Sequence, residues 1–184
     1  MKGRLLVPAV VAAVALAAAG CGGSSSSSGS DTTPTNEWAD SLCSSITTWT
    51  SSLSSIVGDL QSGGITKDSL QTAVGDAKTA TDEFTTSLGN LGKPDTEAGQ
   101  QAQDSVNNLS SEIQTDMTTI EEAVNGASGV SGVLNAVTVT KDTLTKAGTQ
   151  VSDTLTGFQD LDAKGELEAA FKQSDSCKKL TGGS

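Results

Sequence analysis

The sequence predicts an all-α protein, an antiparallel up-down four-helix bundle with a short C-terminal helix. From Asn36 onward the apolar seams recur at steps of three and four, the signature of amphipathic helices. Glycine and proline punctuate that pattern at Gly63-Gly64, Gly92-Lys93-Pro94, Gly126 and Gly165. Cys43 lies early in the first periodic segment and Cys177 near the chain end. An even number of antiparallel helices brings those two places to one end, whereas an odd number separates them by a helix length.

Residues 1–20 read as an export signal. Lys2 and Arg4 form a basic start, and Leu5–Ala19 is apolar apart from Pro8. That stretch is shorter than the roughly 20 residues a helix needs to span a bilayer. It ends Ala18-Ala19-Gly20-Cys21, which resembles the lipobox of bacterial lipoprotein precursors, with Ala18 standing where Leu is usual. The resemblance implies cleavage before Cys21, diacylglycerol on the Cys21 sulfur, and a lipid-anchored place on the extracytoplasmic face of the cell membrane. Two or more acyl chains hold a protein stably at a bilayer, where one holds it only marginally.

Residues 21–35 follow as a Gly/Ser/Thr-rich tether, Gly22-Gly23-Ser24 through Pro34-Thr35, with nothing apolar to bury. Such composition is expected to be disordered, with a root-mean-square reach of about 20 Å and a stretched limit of about 50 Å. Its hydroxyls are also candidates for glycosylation.

The folded domain is expected over residues 36–180. The first helix carries Leu42, Ile46, Trp49, Leu53, Ile56 and Leu60 on one seam, with Trp38 a turn earlier. The second carries Leu70, Val74, Ala77, Thr81, Phe84, Leu88 and Leu91, with Thr66 as its N-cap. The third carries Ala102, Val106, Leu109, Ile113, Met117, Ile120 and Val124. The fourth carries Val133, Val137, Thr140, Leu144, Ala147, Val151, Phe158 and Leu161. These narrow seams suit left-handed bundle packing. Gly75, Gly148 and Gly157 and the many Ser and Thr lower helix propensity, so periodicity outweighs composition here. After a break at Gly165, Glu166–Phe171 forms a short amphipathic helix expected to cover one end.

With the leader gone, 9 Lys face 22 Asp and Glu, a net charge of −13, with no His, Tyr or Arg. That excludes His-based zinc sites and His-dependent nucleophile triads, and it leaves no basic surface for nucleic acid. In an exported chain, Cys43 and Cys177 most simply pair as a disulfide; neither a nearby His nor a CxxC spacing supports reactive or metal-binding thiols.

Other constellations are weak. Asp160–Glu168 places acids and a Gly like a calcium loop, but Lys164 stands at place 5 and Phe171 at place 12, where a bidentate Glu belongs. Asp82-Glu83 and Glu121-Glu122 are adjacent carboxylates on a helix, which do not face each other across a cleft as acid and base must. Lys178-Lys179 complement a helix C-terminus. Trp38 and Trp49 lie three turns apart on one stripe, as core residues or as walls of an apolar ligand gap.

The leader, the tether and the composition resemble the small Ser/Thr/Ala-rich helical lipoproteins of unknown function of actinobacterial envelopes. That resemblance implies a location and no activity. The expected function is a non-enzymatic, lipid-anchored module that binds an envelope protein or cell-wall polymer and needs no cofactor or metal. The alternative is a carrier or sensor holding a small apolar ligand between the helices near Trp38 and Trp49.

Overall fold

The computed structural model describes residues 32–63, 65–162 and 164–180. The leader, Cys21 and most of the tether lie outside the described residues. The described chain is all-α apart from one two-residue strand pair. Its helices are α1 (Thr35–Gly63), α2 (Lys67–Gly89), α3 (Gly99–Asn125), α4 (Gly129–Leu161), α5 (Glu166–Gln173) and α6 (Asp175–Leu180). Among the described residues, no helix is long and apolar enough to cross a membrane.

The last residues expected in the tether belong to the folded body instead. Strand β1 (Thr32–Thr33) runs parallel to β2 (Lys93–Pro94), with Thr32 opposite Lys93 and Thr33 opposite Pro94. The Thr33 hydroxyl donates to the Leu91 carbonyl at 2.7 Å, and the Asp95 N–H donates to the Thr33 carbonyl at 2.9 Å. Thr35 then opens α1. The tether's composition gave no sign of this, because the partner strand lies about sixty residues away in sequence.

Each long helix starts and stops for local reasons. Thr66 caps α2: its hydroxyl accepts from the Ser69 N–H at 3.1 Å, while the Ser69 hydroxyl accepts from the Thr66 N–H at 2.9 Å. Such a capping box stabilises a helix by about 1 kcal/mol. At the start of α3, a Cβ on Gly99 would lie 2.1 Å from the Pro94 carbonyl oxygen, so only glycine lets the helix begin there. Gly165 takes φ 72°, which turns the chain from α4 into α5. The break at Gly165 is where the sequence placed it. The second short helix, α6, was not legible: six residues are too few for a periodicity to show.

The Ser and Thr side chains are accommodated by back-bonding along the helices. Ser45 donates to the Ser41 carbonyl, Thr115 to that of Ser111 and Thr140 to that of Ala136, at 2.8, 2.9 and 2.8 Å. Gly75, Gly148 and Gly157 have no atom within 4 Å of an added Cβ, so they weaken helix propensity without any packing role.

α1 packs on α2, α2 on α3 and α3 on α4, while α5 and α6 fold back onto α1. The interior divides into two clusters. The larger joins Trp38, Leu42, Ile46 and Trp49 of α1 to Phe84, Leu109, Phe158 and Leu167. Among the described residues the smaller holds Leu70, Val74, Met117, Ile120, Val124 and Ala136 of α2, α3 and α4, with Ala127 from the turn between the last two. Along α1, Leu53 still packs on the larger cluster, whereas Ile56 is half-buried and Val57 beside it is exposed.

Candidate functional site

Cys43 and Cys177 are joined by a disulfide, with Cα atoms 5.0 Å apart. The bond seats α6 on the first third of α1. Around it the sequence supplies further ties. Ser174 stands just before α6 and its hydroxyl oxygen accepts from the Cys177 N–H at 3.1 Å. The same hydroxyl donates to Asp40 Oδ1 at 2.8 Å, and the Ser176 N–H reaches that oxygen at 3.3 Å. Hydrogen bonds from Ser174 and Ser176 hold the Asp40 carboxyl below its ordinary value, with Lys179 adding a smaller attraction.

The two tryptophans serve separate aromatic groups. Trp38 is fully buried and donates its indole N–H to the Gly92 carbonyl at 3.1 Å. It meets Phe158 and Phe171 edge-on, with centroids 5.4 and 6.2 Å away, while those two rings stack on each other at 5.7 Å. Trp49 stacks on Phe84 at 4.8 Å and donates to the Thr81 hydroxyl at 3.2 Å. Neither indole offers a free face, since exposure is 0% for Trp38 and 5% for Trp49. Trp49 lines an open groove of about 160 Å³ with Phe84 and several Ser and Thr, and on its inner side a void of about 10 Å³, the room of one water.

That void is lined by Thr81, Met117 and Asp116. Asp116 is a buried carboxylate that sequence reading missed, although it stands three residues after Ile113 on the inward face of α3. Its Oδ1 takes the Lys146 ammonium at 2.6 Å, and its Oδ2 has no protein hydrogen-bond partner.

An apolar-floored cleft lies beside the disulfide. It encloses about 310 Å³ between α1, α4, α5 and α6. Leu155, Phe171, Leu180 and the Cys43–Cys177 bond form an apolar floor, and Lys172 and Lys178 stand at its edge with Glu168. Lys172 pairs with Glu168, and Lys178 with Asp175 at 3.0 Å. Sequence reading had placed Phe171 on the apolar side of the short helix. It could not join Leu155 to Leu180, because their meeting depends on the turn at Gly165 and on the disulfide.

At the other end of α1 a second surface stands out. Val57, Ile65, Val130 and Leu134 are exposed, Val130 by 80% and Leu134 by 61%. Ile65, Val130, Val133 and Leu134 line one shallow depression where the start of α2 meets the start of α4. The Lys67 ammonium ties the α2 start there by donating to the Ala127 carbonyl at 2.6 Å.

The remaining acidic candidates are dispersed. Asp82 and Glu121 both reach Lys78, at 3.6 and 3.8 Å, while Glu83 and Glu122 are exposed on their helices. In the calcium-like stretch, Asp162 Oδ2 accepts from the Glu168 N–H at 3.0 Å, so this carboxylate caps α5. Lys164 pairs there with Glu97, which raises the lysine's pKa. Among the described residues, no group of three or more His, Cys, Asp or Glu could hold a metal ion. No protein-family model, no curated protein and no solved structure matches the chain.

Proposed function

We propose that this chain is a lipid-anchored, non-enzymatic module of the cell envelope. In this reading it is held at the extracytoplasmic membrane face through Cys21 and docks an envelope protein or cell-wall polymer. The body is taken as an antiparallel up-down four-helix bundle closed by the two short helices. The observation that carries the docking role is the gathering of Ile65, Val130 and Leu134 on one surface. Large aliphatic side chains exposed together mark an interaction surface more often than chance scatter does. That surface lies at the end of α1 opposite Thr32–Thr33. Disulfide closure and an acidic exterior suit an exported location.

Two experiments test the reading. Cys21→Ala should move the protein from the membrane to the soluble fraction of fractionated cells; undiminished membrane association refutes the anchor. A photo-crosslinking residue at position 134 in intact cells should capture one envelope partner, and Leu134→Lys should abolish that capture. Loss of a hydrolytic or transfer activity on deletion, restored by the purified protein, would replace the module with an enzyme.

A second reading, a carrier or sensor of a small apolar ligand held between helices, draws support from the cleft of about 310 Å³ beside the disulfide. Trp38 enters this reading indirectly, one ring removed from the cleft through Phe171.

A further inference from the structure

We infer that the cleft beside Cys43–Cys177 binds a single-chain aliphatic carboxylate, with the alkyl chain on its floor and the carboxylate at Lys172 and Lys178. The inference deepens the ligand-carrier reading by naming the ligand class, and it does not depend on the lipid anchor.

The volume sets the size of the guest. At about 310 Å³, and with a methylene taken as about one water volume of ~30 Å³, the cleft holds one chain on the order of ten carbons. The floor sets the chemistry of the tail. Leu155, Phe171 and Leu180 are only partly buried by the protein itself, and the disulfide beneath them is apolar. Covering these groups is favoured by the hydrophobic effect.

Charge sets the head group. Residues 166–180 carry three Lys and three acids, whereas residues 21–165 carry six Lys and nineteen acids. An anion is therefore repelled over most of the molecule and least of all at this edge. Two ammonium groups stand there with one lining carboxylate, Glu168. Lys172 is paired with Glu168, and Lys178 with Asp175 and the Gln173 carbonyl. These are exposed contacts, of the kind weak enough for a ligand carboxylate to replace or share.

The test uses residues 21–184 with the disulfide intact, titrated with sodium dodecanoate below its micelle concentration and followed by amide NMR. Saturable one-to-one shifts at Leu155, Phe171 and Leu180, with Val130 and Leu134 unmoved, are expected. Lys172→Gln combined with Lys178→Gln should weaken dodecanoate binding about fivefold and leave dodecanol binding unchanged. Leu155→Trp should fill the cleft and abolish binding; if that variant loses its helical spectrum, the lysine pair decides alone.

Dodecanol or dodecyltrimethylammonium binding as tightly as dodecanoate overturns the carboxylate assignment and leaves the ligand-carrier reading standing. Absence of saturable binding by all three chains sinks both. Shifts confined to residues 130–134, or seen only with anionic vesicles, likewise overturn the proposal.

Discussion

At the Cys43 end, three aromatic rings, a disulfide and the Trp38–Gly92 hydrogen bond lock α1 to α4, α5 and the loop after α2. At the far end, the core among the described residues is Val, Ala, Ile, Leu and Met from α2, α3, α4 and the turn between the last two, and four large aliphatics face solvent. The difference is one of apolar supply. Both Trp and all three Phe belong to the larger cluster or pack against it, so the smaller cluster is built from aliphatic and Met side chains. One end is therefore built to be rigid, and the other is free to be remodelled by a partner. Low local burial of this kind lowers the free energy of local opening.

The largest expected effect comes from cutting the rigid end. Cys43→Ala with Cys177→Ala removes closure of a 134-residue loop. It should lower stability by up to about 5 kcal/mol in denaturant titration on the chain-entropy account. If the loss is below about 1 kcal/mol, closure is not what distinguishes this end.

A matched pair of truncations sharpens the contrast. Leu42→Ala, at 1% exposure, should cost about 3 kcal/mol, whereas Leu134→Ala should change stability by less than about 0.5 kcal/mol. Equal costs would erase the distinction between the two ends.

Between the clusters, Lys146→Met leaves the Asp116 carboxylate buried without its cation and should cost about 2 kcal/mol. On the exposed side of α4, Gly148→Ala should act in the opposite direction and stabilise by about 0.5–1 kcal/mol, since nothing opposes a Cβ there.

The smallest effect is a pH dependence at the rigid end. The Asp40 pKa is lowered in the folded state, so its contribution is present above the unfolded value of about 4. It is lost as pH falls through the lower folded value. Asp40→Asn should therefore flatten the acid limb of the stability curve and leave stability at pH 7 to 8 without new pH dependence.

The seams were legible because each records a local alternation of apolar and polar residues. Leu42, Ile46, Leu109, Ile113 and Phe158 are buried where the three- and four-residue spacing put them. Thr66 was legible as a cap and Gly165 as a break for the same local reason. Ile56, on the first seam but only half-buried, shows the limit of that reading. A periodic apolar residue is buried only if a partner helix extends far enough to cover it, and period says nothing about the partner's length.

By itself, the sequence determined the four long helices, the break at Gly165 with the short helix after it, and the cysteine pair, because those depend on residues within a few turns or on which thiols exist. Only the tertiary structure decided that Thr32–Thr33 pairs with Lys93–Pro94, that Asp116 is buried against Lys146, and that Leu155, Phe171 and Leu180 surround one cleft. Each of those is a meeting of residues from different elements of the chain. Its energy comes from packing and charge pairing in space, which a one-dimensional pattern does not record.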